Sequence, residues 1–269
     1  MISLSGISSV GLIGFGAFGQ LIAQHLSPHV PLVISDPAYA ISDDGPPNAR
    51  FAPPEQAAAC PLVLMAVPVS MMAEVCTSLA PYMQPGSIVA DVGSVKLLPA
   101  RVLQQTLPQH VDLVGTHPLF GPQSAQDGIA GHKIAICNIR GRSHLKLAAV
   151  LRRVHGLKII FTTPEAHDRE AALVQGLTHL IAKSLIQMGP LPNCMTTTSF
   201  ELLVQAADMV RDDAPEVFSA INQANPFSAE IRDQFLSRAI ALSNALHPTE
   251  PNPWRKKEGS PQAASQDIG

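Results

Sequence analysis

Apolar and polar positions along residues 1–161 follow the order expected of a sheet whose strands are joined by helices. Short, continuously apolar runs, such as Leu62–Val67, are typical of parallel strands that are buried on both faces. Between these runs, segments such as Gly16–Leu26 carry apolar residues at helical spacing. The alternation predicts an α/β domain over residues 1–161, built on a doubly wound, Rossmann-type sheet.

The pattern also gives bounds for each predicted element of this domain. The predicted strands are Ser9–Ile13, Val30–Ser35, a short one at Arg50–Phe51, Leu62–Val67, Ile88–Val92, Val111–Val114, Ile134–Cys137 and Lys158–Phe161. The predicted helices are Gly16–Leu26, Met71–Leu79, Lys96–Leu107 and Arg142–Val154. A loop rich in proline and glycine is predicted to follow Val114, and this loop carries His117.

The pattern is entirely helical over residues 162–246. Thr163, Pro164 and Glu165 form a strong helix start, with a hydroxyl cap, a proline at the first position and an acid in the first turn. Apolar residues then recur at helical spacing as far as Met188. Further helices are predicted at Ser199–Val210, Ala214–Gln223 and Ser228–Leu246. So small a helical domain is expected to pack on the first domain and on a second copy of itself, forming a homodimer.

Composition narrows the class of protein. Residues 247–269 are rich in Pro, Ser, Gln and Lys, include the only tryptophan, Trp254, and predict a disordered tail. Over the whole chain, 46% of residues are hydrophobic, which allows a sizeable core. A net charge of −3 and an aromatic content of 4% argue against nucleic acid as a partner. We find no targeting leader and no long apolar span, so we expect a cytoplasmic protein that does not bind membranes.

The segment Gly14–Gly19 matches the glycine pattern of dinucleotide-binding turns and lies between an apolar strand and an amphipathic helix. Gly14 is expected to form the tight turn, and Gly16 to let the backbone approach a pyrophosphate. Gly19 is expected to let the helix pack closely on the strand, and Phe18 lies in the same turn. The free N–H groups of the helix N-terminus would face the phosphates, so this segment predicts a dinucleotide site.

Asp36 ends the second strand, where a carboxylate accepts hydrogen bonds from the adenosine ribose of NAD. It would repel the 2′-phosphate of NADP, and no lysine or arginine lies nearby in the sequence to neutralise it. We therefore expect NAD rather than NADP. The alternative is that Asp36 only shapes the turn before Pro37. Val67 and Pro68 end the next long strand and are expected to lie against the cofactor.

Two side chains are predicted to carry the chemistry where the strands end. Ser94 follows a central strand, and its hydroxyl can bridge a substrate hydroxyl and the nicotinamide; the alternative is that it caps the next helix. His117 can accept a proton from an alcohol while a hydride leaves, because imidazole titrates near neutral pH. The alternative is a structural loop histidine. Lys96 is expected to be a local electrostatic or surface residue.

The helical region supplies further candidates. His179 lies mid-helix among apolar neighbours and is either a substrate-site residue or a buried histidine with satisfied hydrogen bonds. His167, near the helix start, is expected to cap the helix or lie at an interface. The histidines are not at metal-ligand spacing, so no metal is predicted.

Taken together, the motifs resemble the prephenate/arogenate dehydrogenase family of tyrosine biosynthesis over about residues 9–246. The resemblance is carried by Gly14–Gly19, Asp91–Lys96, Gly115–Pro122, Glu165–Arg169 and Gln175–His179. It implies NAD-dependent oxidation of prephenate or arogenate with loss of CO₂, giving 4-hydroxyphenylpyruvate or tyrosine. It also implies that His117 accepts or polarises the ring hydroxyl, that Ser94 orients it, and that His179 shapes the pocket of a homodimer.

One departure from the family concerns the substrate side chain. Several prephenate-using relatives place an arginine on the helical domain to bind the side-chain carboxylate, whereas here the comparable position is Glu201. The stretch is more similar to plant-type arogenate dehydrogenases, so Glu201 is hypothesised to favour the ammonium group of arogenate. The alternative is a solvated helix face. Arg211 and Arg232 are candidate partners for the carboxylate.

Two other functions stay open at this point. A dehydrogenase of the β-hydroxyacid or imine-reductase type has the same two-part organisation, and Lys183, one turn after His179, would be its candidate residue. A non-catalytic NAD-binding sensor would leave Ser94 and His117 without a role.

Overall fold

The computed structural model describes residues 7–246, so the predicted tail with Trp254 lies outside the described residues. Within them, eight strands form one sheet. The strands are β1 (Val10–Ile13), β2 (Leu32–Ser35), β3 (Ala49–Phe51), β4 (Leu62–Met65), β5 (Ile88–Asp91), β6 (Asp112–Pro118), β7 (Lys133–Arg140) and β8 (Lys158–Thr162).

Helices connect the strands and then make up the rest of the chain. Those among the strands are α1 (Ala17–Leu26), α2 (Pro54–Ala58), α3 (Met72–Leu79), α4 (Leu97–Thr106) and α5 (Ser143–His155). Those after β8 are α6 (Pro164–Ala171), α7 (Leu177–Gln187), α8 (Thr198–Met209), α9 (Pro215–Ser219) and α10 (Ser228–Ala245). Two π-helical turns, Ala172–Gly176 and Ala220–Ala224, precede α7 and follow α9.

The strand order is β3-β2-β1-β4-β5-β6-β7-β8. The first six strands are parallel and follow the order of dinucleotide-binding sheets. The strand β7 then pairs antiparallel with β6, and β8 pairs parallel with β7. The predicted Rossmann-type α/β class with a helical second part is confirmed, and the order reverses between β1 and β4, where such sheets bind ligands.

Alternate strand residues face two hydrophobic layers, because successive side chains of a strand point to opposite faces. Leu12 and Leu64 face the layer covered by α1 and α5, and Val63 and Val89 face the layer covered by α3 and α4. All four residues of β4 are buried, as the continuous apolar run predicts for a central parallel strand. The sheet therefore holds the carboxyl ends of its strands in fixed positions.

The prediction of a loop around His117 is wrong. The strand β6 continues to Pro118, because Gly115–Pro118 pairs with Ile134–Cys137 of β7, and His117 lies opposite Ala135. The turn-rich segment begins only after Pro118. The backbone of His117 is thus part of the sheet, which fixes the direction of the imidazole more firmly than a loop would.

The helical part starts as predicted. The Thr163 hydroxyl accepts a hydrogen bond from the Ala166 N–H at 3.2 Å and caps α6, whose first residue is Pro164. The expected uninterrupted α-helix is not formed, because the π turn Ala172–Gly176 separates α6 from α7. This turn changes the direction in which the residues of the following helix point.

The chain divides into two compact units, of which the first ends at Arg232 and the second begins at Asp233. The predicted boundaries at residues 161 and 246 stay predictions. Among residues 7–246, we find no helix long and apolar enough to span a membrane.

Candidate active site

The glycine turn between β1 and α1 has the shape of a phosphate-binding turn. Gly14 has a φ of +96°, and a Cβ placed on it would lie 2.4 Å from the Ala66 carbonyl oxygen, so only glycine fits. A Cβ on Gly16 would meet no atom within 4 Å, which leaves open space in front of the backbone. No side chain among residues 7–246 caps the N-terminus of α1. Its free N–H groups can therefore bind an anion, and these residues fit a pyrophosphate.

Asp36 lies beside this turn. One of its carboxylate oxygens accepts the Phe15 N–H at 2.7 Å, and the other accepts the Ala38 N–H at 2.8 Å. Asp36 therefore shapes the turn, as the alternative interpretation predicts. A carboxylate has about four acceptor sites, so it can still accept hydrogen bonds from ribose hydroxyls. Val67 is half-buried, and Pro68 is exposed just before a 3₁₀ turn.

A ring pair lies close to the glycine turn. The centroid of Phe18 is 6.4 Å from that of Phe120, in the segment after β6. This contact joins the start of α1 to the segment that follows His117.

The start of α4 is capped from a distant part of the chain. The carboxylate of Asp168 accepts the backbone N–H groups of Lys96 at 2.7 Å and Leu97 at 2.9 Å. The interpretation of Ser94 as the cap of this helix is therefore wrong. Ser94 is half-buried in the bend between β5 and α4, so its hydroxyl does not serve the helix end.

Lys96 is 1% exposed, so its interpretation as a surface residue is wrong and the electrostatic one holds. Its ammonium forms a buried ion pair with Asp91 at the end of β5 and donates to the Thr116 carbonyl oxygen at 2.6 Å. Burial raises the pKa of Asp91, against the opposing effect of the Lys96 ammonium. The Lys96 ammonium thereby places a positive charge against the backbone of β6, at Thr116.

The imidazole of His117 is 3% exposed and is the first member of a buried hydrogen-bonded chain. Its Nδ1 lies 2.8 Å from Nε2 of His167, and Nδ1 of His167 lies 2.8 Å from a carboxylate oxygen of Asp168. The other nitrogen of His117, Nε2, lies 3.3 Å from the side-chain amide of Gln175. Both partners of His117 are side chains rather than main-chain groups.

The carboxylate end of this chain determines where the protons are. A carboxylate only accepts, so Nδ1 of His167 donates to Asp168 and Nε2 of neutral His167 accepts. His117 must then donate through Nδ1, which leaves the lone pair on its Nε2. Nε2 of His117 is therefore a hydrogen-bond acceptor, and Gln175 points its NH₂ group toward it.

Electrostatics keep His117 neutral. Burial is the main reason that the pKa of His117 lies well below its usual value of 6.5, and the Lys96 ammonium adds to it; His167 lowers the pKa further whenever it carries a second proton. A buried neutral imidazole whose Nε2 carries a lone pair can act as a general base at neutral pH.

Comparison with known proteins identifies the family. The model of the "Prephenate dehydrogenase, nucleotide-binding domain" matches residues 48–176, and that of the "Prephenate dehydrogenase, dimerization domain" matches residues 163–254. The chain belongs to the prephenate dehydrogenase family. The resemblance found in the sequence is thus confirmed.

Named relatives of this family are moderately similar to the chain. A probable arogenate/prephenate dehydrogenase of Methanocaldococcus jannaschii is 26% identical over 69% of this chain and 43% of its own length. Arogenate dehydrogenase 2 of Arabidopsis thaliana is 26% identical over 84% of this chain and 66% of its own length. A 4-amino-4-deoxyprephenate dehydrogenase of Streptomyces pristinaespiralis is 27% identical over 87% of this chain and 82% of its own length. The chain thus spans less than two thirds of the archaeal and plant proteins.

Solved structures of the family share the fold. Prephenate dehydrogenase of Aquifex aeolicus, in complex with hydroxyphenyl propionate and NAD⁺, has a TM-score of 0.70 and 20% identity. That likeness covers 89% of this chain and 90% of the other. Synechocystis arogenate dehydrogenase has a TM-score of 0.58 and 18% identity, with 88% and 92% covered.

The remaining predicted residues of this prephenate dehydrogenase homologue lie on the helical part. His179 is buried, and its two nitrogens contact the Gln175 carbonyl oxygen at 2.9 Å and the Asp213 carboxylate at 3.0 Å. It is therefore a satisfied buried histidine, and its substrate role stays a prediction. Glu201 is exposed on α8, where its carboxylate accepts from Thr196, and Arg232 is half-buried on α10.

Three residues that the structure brings to the candidate site were not predicted from the sequence. Asp168 was not recognised, although it directly follows His167 in the segment Glu165–Arg169. Gln175 is adjacent to Gly176 in a segment whose π-helical turn no periodicity indicates. Asn225 donates to the Asp168 carbonyl oxygen at 2.8 Å, from 57 residues away in sequence. Among residues 7–246, we find no group of three His, Cys, Asp or Glu side chains arranged to hold a metal ion.

Proposed function

We propose that this protein catalyses the NAD-dependent oxidation and decarboxylation of a cyclohexadienol carboxylate, with prephenate and arogenate as the substrates. The observation that carries the proposal is the buried chain His117–His167–Asp168, which leaves the lone pair of His117 Nε2 as a proton acceptor. The names of the relatives support the substrate class.

His117 removes the proton of the ring hydroxyl in this scheme. As the carbon–oxygen double bond forms, the hydride leaves the carbinol carbon and the hydroxyl proton passes to Nε2 of His117. The resulting positive charge is shared through His167 with the Asp168 carboxylate, which stabilises it in a buried site. Ser94, between β5 and α4, is proposed to orient the hydroxyl.

Decarboxylation follows from the ring that this oxidation creates. The dienone carries a carboxylate on the carbon opposite its carbonyl group. Cleavage of the bond to that carboxylate releases CO₂, and its electron pair moves through the ring to give an aromatic phenolate. The proton held on the His117 chain can return to the phenolate oxygen, so atoms and charge balance.

NAD⁺ supplies the hydride acceptor when it is bound. The residues present fit this cofactor: the open space at Gly16 and the uncapped N-terminus of α1 match a pyrophosphate, and the Asp36 carboxylate matches a ribose diol. The negative charge of Asp36 would repel a 2′-phosphate, so we propose that NAD⁺ is preferred over NADP⁺. Phe18, Val67 and Pro68 are proposed to border the cofactor.

Selection between the two substrates is assigned to the helical part. Prephenate carries a keto group where arogenate carries an ammonium group. Glu201, exposed on α8, is proposed to favour the ammonium group, and Arg232 or Arg211 to bind the side-chain carboxylate. His179 is proposed to hold the wall of the pocket through its bond to Asp213.

A homodimer is proposed for the helical part. The matching family model is described as a dimerization domain. On α8, the apolar residues Leu202, Leu203 and Met209 are 60%, 52% and 55% exposed. An exposed apolar helix face of this kind is expected to be covered by a second copy of the chain. Sedimentation velocity should give a dimer, and Leu203→Glu should shift it toward the monomer.

Turnover decides the proposed function. Prephenate and arogenate are each incubated with NAD⁺ and with NADP⁺, and absorbance of the reduced nicotinamide is followed. We expect turnover with NAD⁺, and His117→Asn should lower kcat by about two to four orders of magnitude. His29→Asn, an exposed histidine between α1 and β2, is the matched control and should retain activity. NAD⁺ binding without turnover of either substrate would favour the sensor instead.

A further inference from the structure

The side-chain amide of Gln175 contacts the nitrogen of His117 that the proposed reaction needs. Its side-chain Nε2 lies 3.3 Å from Nε2 of His117, and this is the lone pair that would accept the substrate proton. The tautomers fixed from Asp168 make Gln175 the donor in this contact. A substrate hydroxyl can therefore reach His117 only if Gln175 gives up its position.

Among the residues that the structure describes, the carbonyl oxygen of the same amide has no hydrogen-bond partner. Oε1 of Gln175 is buried and accepts no hydrogen bond within residues 7–246. A buried carbonyl oxygen without a donor destabilises the arrangement that holds it there. Within the described residues, the amide is thus hydrogen-bonded at one end only, to the His117 nitrogen from which a substrate hydroxyl would displace it.

The backbone around Gln175 explains how the amide comes to lie there. Gln175 belongs to the π turn Ala172–Gly176, between α6, which carries His167, and α7. A π turn rotates its side chains away from the positions that an α-helix would give them. The same helix segment thus places His167 on Nδ1 and Gln175 on Nε2 of one imidazole.

We propose that Gln175 holds the place of the substrate hydroxyl on His117 in the free enzyme and donates to the oxygen of that hydroxyl in the complex. This proposal rests on the proposed function, because it assumes that an alcohol binds at His117. Gln175 would then orient the hydroxyl and keep water off the base between turnovers.

The groups around His117 set the background for the test. His167 contacts it from α6, and Lys96 acts on it electrostatically from the start of α4. Asp168 pairs with His167, Asp91 pairs with Lys96, and all three of Lys96, Asp91 and Asp168 act on Cys137 of β7. Burial raises the pKa of the Cys137 thiol to about 12, so that thiol stays protonated. A variant at Gln175 leaves all of these groups in place, so a change in the titration of His117 reports on Gln175 itself.

The decisive variant is Gln175→Glu, which keeps the size of the side chain and replaces the donor with a carboxylate. A carboxylate next to Nε2 stabilises the imidazolium, so the acid limb of kcat/KM should move to higher pH by about one to three units. Gln175→Met keeps the packing without a donor, and its kcat should fall about tenfold while KM does not rise. Val174→Thr, exposed in the same turn, is the matched control and should behave as the wild type.

A pH profile of Gln175→Glu that superimposes on that of the wild type would overturn the proposal, as would a Gln175→Met variant with unchanged kcat. If the wild type turns over no substrate, the proposed function fails, and histidine ¹⁵N NMR of the free protein still tests the contact. In the Gln175→Glu variant, the pKa of His117 should then be raised. An unchanged pKa would show that Gln175 does not contact His117 in solution and would overturn the proposal.

Discussion

The carboxylate of Asp168 reaches the backbone N–H of Lys96 at 2.7 Å, although 72 residues separate the two in sequence. The same carboxylate accepts from the ring of His167. One side chain therefore connects the first helix of the helical part to the N-terminus of α4 and also orients His167, which contacts the proposed base.

Replacing Asp168 should damage stability and activity together. In Asp168→Asn, the amide NH₂ group would replace one carboxylate oxygen and point at an N–H group that this oxygen accepts in the wild type. Because two donors then face each other, we expect the free energy of unfolding to fall by about 1–3 kcal/mol. Loss of the fixed tautomer of His167 should lower kcat at least tenfold. Urea unfolding and steady-state kinetics measure the two effects. Asp212→Asn, at an exposed aspartate between α8 and α9, is the control and should change neither.

Activity should persist below the usual titration range of histidine. Burial, with Lys96 and protonated His167, lowers the pKa of His117, and the proposed base works only when it is neutral. As pH falls, kcat/KM should therefore begin to drop only below the ordinary value of 6.5. A profile with its acid limb at or above that value would contradict the assignment of His117 as the base.

Removal of either partner of the buried ion pair Lys96–Asp91 should destabilise the protein. Lys96→Met leaves the carboxylate buried without its cation, and we expect a loss of about 3–5 kcal/mol in the free energy of unfolding. Asp91→Asn added to Lys96→Met should restore part of that loss, because no lone charge then remains. Thermal and urea unfolding of the single and double variants test this. A double variant less stable than Lys96→Met would rule out the charge explanation.

The burial of His155 should make the stability of the protein sensitive to acid. His155 ends α5 against an apolar cavity of about 90 Å³, and Nε2 of its ring has no hydrogen-bond partner within the described residues. Burial, with His29 and His25, lowers the pKa of His155 to about 4. The unfolded chain binds this proton near pH 6.5, so stability should fall as pH drops from about 6.5 to about 4.

His155→Phe removes the titrating group and keeps a ring of similar size. The variant should lose less unfolding free energy than the wild type between pH 7 and pH 5. An equal loss in both proteins would show that other groups carry the acid sensitivity.

Local pattern was sufficient for most of the sheet. The buried run at β4, the glycine turn and the helix start at Thr163 depend on residues close in sequence, and all three lie where they were predicted. The strand β6 was predicted too short, because its last residues are held by pairing with β7 rather than by their own propensity.

The candidate site was predicted only in part, for the same physical reason. His117 and the glycine turn carry local motifs, whereas the cap on Lys96 comes from Asp168 and is a contact between distant segments. Gln175 depends on the π turn, which leaves no period in the sequence. Hydrogen bonds between such distant residues follow from the fold and cannot be read from spacing.

The two π turns, Ala172–Gly176 and Ala220–Ala224, contact each other. A π turn holds one residue more than the regular helix around it. Deleting a single residue from Ala172–Gly176 would rejoin α6 and α7 as one helix and rotate everything beyond the deletion by roughly 100°. Engineers who shorten or graft this helix should therefore preserve its residue count, because an otherwise silent deletion would swing the Gln175 side chain off the imidazole.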